Sequence, residues 1–247
     1  MATAIVVTSG KGGTGKTSVT GGVASCLAAL GEQVLCIDMD ISLRNLDLTL
    51  GLADRALMDF TDVLSGRCTL ARAAVTHPAI PNLALLTAPL SPLPAPLPEA
   101  AMRDLIREAK SQYSYILMDS PAGLGDGFRL ALCAADRALV VSTTDVSALR
   151  DGQRTVSELS RQLHGPIHLV VNRVQPKLLR RLHTTIDDAM NTTGLPLLGV
   201  IPEDAQVMLA ANAGQPLTLL SQKGAATAYR NIAKRLLGQS VPLMRLH

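Results

Sequence analysis

Gly10-Lys11-Gly12-Gly13-Thr14-Gly15-Lys16-Thr17, directly after the β-branched run Ala4-Ile5-Val6-Val7-Thr8, is the stretch on which the fold turns. It fits GxxxxGK[ST], a pattern that a chain of this length contains by accident about once in a hundred. The glycines let the backbone wrap a phosphate chain with its N–H groups pointing inward, and the helix N-terminus that follows adds positive potential. Gly12, Gly13, Thr14, Gly15, Lys16, Thr17 and Ser18 are therefore expected to cradle the phosphates of ATP. Lys16 is expected between the β- and γ-phosphates, and the Thr17 hydroxyl on Mg²⁺. Lys11 lies inside the loop, where a generic phosphate-binding loop requires no charge.

Outward from this loop the chain alternates strand and helix patterns. Ala4 to Thr8 has no polar alternation, as expected of a parallel strand buried on both faces. Val19, Val23, Cys26, Leu27 and Leu30 recur at helical spacing, with Gly31 as a stop. Val34 to Ile37 reads as a second strand, and further buried-strand runs fall at 83–86, 115–118, 138–141, 167–171 and 197–201. Helical patterns lie at 99–112, 125–135, 146–163, 177–192, 203–213 and 221–237. This alternation predicts an α/β fold: a doubly wound, mostly parallel sheet of the P-loop NTPase type with helices on both faces. Pro89 to Pro98 holds five prolines in ten residues and is expected to be a surface connection. No internal repeat is found, and 1–247 reads as one domain.

Composition narrows the possibilities. Of the 247 residues 47% are apolar and 17% charged, which excludes a disordered chain. Cys26, Cys36, Cys68 and Cys133 form no CxxC pair, so neither a zinc module nor a disulfide framework is expected. Apolar runs are interrupted well before ~20 residues, so no membrane-spanning segment is expected. The net charge of +3 is unevenly spread: residues 150–247 carry 12 basic and 6 acidic residues, with Arg173, Lys177, Arg180, Arg181 and His183 clustered. Such a patch suits the phosphates of DNA or of acidic lipids.

Carboxylates complete the candidate site. Asp38 and Asp40 follow the second strand and are expected to project to the same side of an extended segment, at the sheet edge where open α/β folds collect ligands. Asp119 ends the strand Tyr115-Ile116-Leu117-Met118 and reads as a carboxylate holding Mg²⁺ directly or through water. Gly123 beyond it can bring a bare N–H to the γ-phosphate. The five histidines are expected on the surface or satisfied in the core, and the cysteines on helix or strand patterns as small apolar residues.

Lys11-Gly12-Gly13-Thr14-Gly15-Lys16-Thr17 resembles the deviant Walker A motif. Together with Ile41-Ser42-Leu43-Arg44-Asn45-Leu46-Asp47, Met118-Asp119-Ser120-Pro121-Ala122-Gly123, Val146-Ser147-Ala148-Leu149-Arg150-Asp151 and Ile201-Pro202-Glu203-Asp204, it makes nearly the whole chain similar to the MinD branch of the MinD/ParA ATPases. The resemblance implies a cytosolic protein that forms a homodimer with ATP and Mg²⁺ and binds the inner face of the plasma membrane peripherally. It also implies recruitment of a MinC-like division inhibitor and release by a hydrolysis-stimulating partner. By position, Lys11 would reach the nucleotide of the partner subunit, Lys16 and Thr17 would serve phosphate and metal, Asp40 would position the attacking water, and Asp38 and Asp119 would support the metal. Asn172, Arg173, Pro202 and Glu203 resemble purine-recognition positions, and Arg150 and Asp151 resemble dimer-edge contacts. Two departures stand out: Leu124-Gly125-Asp126-Gly127 displaces an acidic residue, and residues 238–247 lack the family's separate amphipathic membrane helix. The alternatives are a ParA-like or flagellar-number ATPase acting on DNA or a flagellar partner, and a nucleotide-dependent binding module without significant turnover.

Overall fold

The computed structural model describes residues 2–41, 43–53, 55–91 and 96–244. Ser42, the middle of the proline-rich stretch (92–95) and the last residues of the tail (245–247) lie outside them. The chain runs β1 (Thr3–Thr8), α1 (Lys16–Ala29), β2 (Val34–Asp38), α2 (Leu46–Leu50), α3 (Phe60–Leu64), α4 (Leu70–Ala73), β3 (Val75–His77) and β4 (Ile80–Leu86). It continues through α5 (Glu99–Ala109), β5 (Tyr115–Asp119), α6 (Asp126–Leu132), β6 (Arg137–Ser142), α7 (Val146–Gln162), β7 (Ile167–Val174) and α8 (Pro176–Leu182). The last elements are α9 (Ile186–Thr193), β8 (Leu197–Pro202), α10 (Ala205–Asn212), α11 (Leu217–Leu220) and α12 (Ala225–Leu236).

The strands form an eight-stranded sheet in the order β3-β4-β2-β5-β1-β6-β7-β8. Every pairing is parallel except that of edge strand β3 with β4. All seven predicted strands are present. The chain leaves β1 toward β2 on one side and returns through β6 on the other, so β1 is the topological switch point, where such sheets open a crevice at the strand carboxyl ends.

Side-chain alternation divides the apolar residues of each strand between two cores. Ile5 and Val7 face the layer of α1 and α12, with Cys36, Leu117, Leu139 and Val170. Ala4 and Val6 face the layer of α5, α6 and α7, with Ile37, Met118, Val140 and Val171. Because each strand is covered on both faces, its sequence carries no polar alternation. α1 is buried almost all round rather than along one stripe, since α12 covers its outer side. The two helices touch where Gly22 leaves room for Tyr229, whose ring would collide with any Cβ at that position.

Three expectations are corrected. The helix expected over 177–192 is two helices: His183 adopts φ 51°, which ends α8, and a capping box between Thr185 and Asp188 starts α9. The short elements α2, α3, α4 and β3 had no periodic signal long enough to register. Cys133 is half-buried rather than buried, although Cys26 and Cys36 do lie in the core.

Candidate functional site

The loop between β1 and α1 needs its glycines for conformation and for space. Gly13 and Gly15 have φ of 81° and 84°, in the left-handed region that side chains disfavour. A Cβ on Gly15 would collide with the Asn172 side chain, whose Nδ2 donates to the Thr14 carbonyl at 2.8 Å. At Gly12 and Gly13 a Cβ would meet only open space, so this arc of the loop is unobstructed. Lys16, the first residue of α1, is 8% exposed. The Thr14 hydroxyl is buried without a hydrogen-bond partner among the described residues. A buried hydroxyl of that kind fits a ligand oxygen completing the loop.

Asp38 and Asp119 end adjacent strands in register, and each is 1% exposed. Asp38 accepts the N–H of Asp40 on Oδ1 at 2.9 Å and that of Leu46 on Oδ2 at 3.1 Å. Burial, then the nearby Asp119 charge, push the Asp38 pKa up to about 7 against those two hydrogen bonds. Asp119 is likewise raised by burial, opposed by the Lys16 charge and by hydrogen bonds from the Thr17 and Thr20 hydroxyls. Two desolvated carboxylates beside a threonine hydroxyl suit Mg²⁺, a hard cation taken by one or two carboxylates together with phosphate oxygens and water. Thr20, unnoticed in the sequence, lies with its hydroxyl 3.2 Å from Asp119 and 3.0 Å from the Lys16 carbonyl. Its i+4 spacing from Lys16 places the two on one helix face, and that was the signal available.

Asp40 departs from the expected geometry. β2 ends at Asp38, so strand alternation does not continue to Asp40. Its backbone N–H turns back to the Asp38 carboxylate while its own Oδ1 accepts the Leu43 N–H at 3.3 Å. Gly123 has φ 86°, and its N–H donates to the Ser9 carbonyl at 3.4 Å, across the crevice from β5 to the loop.

Lys11 turns away from Lys16. Its Nζ lies 2.8 Å from Ser147 Oγ and 3.3 Å from Asp145 Oδ2, and the side chain is 47% exposed. Asp145 is the N-cap of α7, and its pKa is lowered by the Ser147 hydroxyl and N–H and then by Lys11. Asp145 and Ser147 lie more than 130 residues from Lys11 along the chain, and no local pattern announced them. α7 itself rests on the loop, since a Cβ on Gly10 would collide with the backbone of Asp151. Asp151 pairs with Arg154 at 3.7 Å, one turn further along the helix.

The four positions read as purine-recognising gather at the ends of β7 and β8. Arg173, at φ 56°, pairs with Glu203 through Nε–Oε2 at 2.8 Å and Nη2–Oε1 at 3.3 Å, and its Nη1 donates to the Gly13 carbonyl at 3.3 Å. Pro202 pairs with Val174, and the Glu203 N–H donates to the Val174 carbonyl. Asn172 and Arg173 thus tie this corner to the phosphate loop through two of its carbonyls. Of the histidines, His77 is buried, and its Nδ1 accepts the N–H groups of Ala79 and Ile80.

Known proteins place this geometry. Residues 5–217 match the CobQ/CobB/MinD/ParA nucleotide binding domain. The septum site-determining protein MinD of Bacillus subtilis is 40% identical over 250 residues, covering 100% of this chain and 93% of that protein. The structure superposes on the MinC:MinD cell division protein complex of Aquifex aeolicus with a TM-score of 0.91 at 37% identity, covering 99% of each chain. It superposes on the septum site-determining protein of Pyrococcus horikoshii complexed with Mg-ADP with a TM-score of 0.84 at 28% identity, covering 96% of each chain.

Proposed function

The chain belongs to the CobQ/CobB/MinD/ParA nucleotide-binding family, among septum site-determining MinD relatives, and from that premise we propose that it is an ATP-hydrolysing dimeric switch that helps place the cell-division site. In this reading the chain works as one P-loop ATPase domain. It associates peripherally with the inner face of the plasma membrane when ATP is bound, recruits a division inhibitor of the MinC kind, and is released when a partner stimulates hydrolysis. No helix among the described residues is long and apolar enough to cross a membrane.

The observation that carries the reading is the division of labour between two lysines of one loop. Lys16 is buried at the head of α1, beside the carboxylate crevice. Lys11 projects from the same loop toward α7, half exposed, where a second subunit can meet it. A cation supplied across an interface to a transferring phosphoryl group is worth roughly 10³ to 10⁵ in rate. Lys16 and the loop N–H groups would hold the phosphates, the Thr17 hydroxyl and Asp119 would hold the metal, and Asp38 braces the turn carrying Asp40, which would orient the attacking water. Mg²⁺, when bound, neutralises charge on the β- and γ-phosphate oxygens.

The test is sedimentation and phosphate release with ATP and with ADP. Lys16→Ala abolishes nucleotide binding. Lys11→Ala still binds ATP but loses the ATP-dependent dimer; an unchanged dimer removes Lys11 from the interface. Asp40→Ala traps the dimer, and turnover at the parental rate in that variant removes Asp40 from the water.

A further inference from the structure

Helix α8 contributes no buried residue. Leu179 packs partly against the core beneath it, and this fixes which side of the helix faces inward. Helical spacing then sets Leu178 and Leu182 along one flank, Lys177 and Arg181 on the outer ridge beside them, and Arg180 on the opposite flank. Leu178 is 40% exposed and Leu182 55%. Arg173, three residues before the first residue of the helix, has Glu203 as its partner. Lys177, Arg180 and Arg181 have no ion-pair partner among the described residues. The nearest acids in sequence are Asp187 and Asp188, in the first turn of α9, and the Asp188 carboxylate is engaged by the N–H and hydroxyl of Thr185.

Leucines held out in water beside cations that lack counter-charges have a specific use. A nucleic-acid backbone would engage the cations and leave the leucines in water. An anionic bilayer surface engages both: the leucines enter the boundary between headgroups and acyl chains, while the long basic side chains keep their charges at the phosphates. We propose that α8, through Leu178, Leu182, Lys177 and Arg181, is an anionic-lipid contact built into the ATPase domain itself. The proposal rests on the membrane-associating reading above and assigns it a surface. α8 follows directly on β7, whose Asn172 and Arg173 hydrogen-bond the phosphate loop, so the contact is anchored next to the nucleotide. A dimer carries two copies, and two weak contacts on one rigid body bind a membrane far better than one.

Each Lys or Arg near an anionic leaflet contributes about fivefold in affinity, so Lys177 and Arg181 together amount to roughly thirtyfold. The experiment is co-sedimentation of the full chain, with ATP and with ADP, on phosphatidylglycerol vesicles and on phosphatidylcholine vesicles, with a duplex-DNA gel shift alongside. The combined Lys177→Gln, Arg181→Gln variant is expected to lose roughly thirtyfold in binding to phosphatidylglycerol. The combined Leu178→Ser, Leu182→Ser variant also weakens it, and both keep ATP-dependent dimerisation in the absence of lipid. The chain has no Trp, so Leu182→Trp introduces a single reporter whose emission shifts to the blue on phosphatidylglycerol vesicles and stays unshifted on phosphatidylcholine. Vesicle binding that survives both sets of substitutions, or an unshifted Trp on protein that co-sediments, overturns the α8 contact and leaves the membrane reading standing. Absence of vesicle binding by the unaltered chain with ATP overturns both. Loss of a DNA shift with vesicle binding unchanged makes the patch a nucleic-acid contact and also overturns the proposal.

Discussion

Asp38 gives the candidate site a pH signature that can be read without any nucleotide. Its pKa stands at about 7 in the fold against 3.8 for the ordinary side chain, so between those values the folded chain holds a proton that the unfolded chain has lost. The stabilisation is therefore fully present below the unfolded value and is lost as pH rises through about 7. A shift of about three units corresponds to about 4 kcal/mol at ~1.4 kcal/mol per unit. Asp119, also raised by burial, acts in the same direction. His77 and His168, both lowered by burial, act in the opposite direction, adding stability as pH rises through the ordinary histidine range. The total curve sums these contributions, so the informative quantity is a difference. Asp38→Asn removes the titration and leaves one acceptor oxygen for two amide donors, a cost of about 1 to 3 kcal/mol that does not change with pH. Urea unfolding followed by circular dichroism from about pH 5 to about pH 8 should show the parent losing about 3 kcal/mol of its advantage over the variant, the part of the total that falls within that range. Two stability curves that stay parallel would refute the argument, because the buried proton would then not be on this carboxyl group.

Two further outcomes follow from the loop. Gly15→Ala must adopt a left-handed φ and displace the Asn172 side chain; it should cost about 2 to 4 kcal/mol in urea unfolding and weaken ATP binding in calorimetry, and a variant with parental stability would mean that the loop relaxes freely. Asp145→Asn keeps an equally good helix cap while removing the carboxylate that faces Lys11; the ATP-dependent dimer should form at about two- to fivefold lower protein concentration in analytical ultracentrifugation, and unchanged or weaker dimerisation would show that this pair does not compete with the interface.

What could be read in advance depended on how local its cause is. A strand covered on both faces has to be apolar at every position, so β1, β2, β5 and β6 announced themselves, and the residues at their carboxyl ends were placed together with them. Lys16, Asp38 and Asp119 converge for that reason alone: each sits at a strand end or in the first turn after one, and the sheet brings the ends together. The break between α8 and α9 rests on His183 in a left-handed conformation and on the Thr185-to-Asp188 cap that restarts the chain, a local signal outweighed by the helical spacing on either side of it. The partners of Lys11 were invisible for a different reason. Asp145 and Ser147 look like an ordinary helix cap in sequence, and the parallel pairing of β1 with β6 is what brings the turn after β6 beside the loop after β1.

The groups that were legible share a state that the sequence could not describe. Lys11 rests on Asp145, the Gly123 N–H rests on the Ser9 carbonyl, and the Asp38 carboxyl group, its pKa raised by burial, rests on the N–H groups of Asp40 and Leu46. Under the proposed function, each of these contacts stands in for a partner that ATP, Mg²⁺ or a second subunit would provide. Exchanging one weak partner for another costs far less than exposing a bare charge or an unpaired donor in a buried crevice. A site arranged in this way can change state on nucleotide binding through local exchanges, while the sheet beneath it keeps its register.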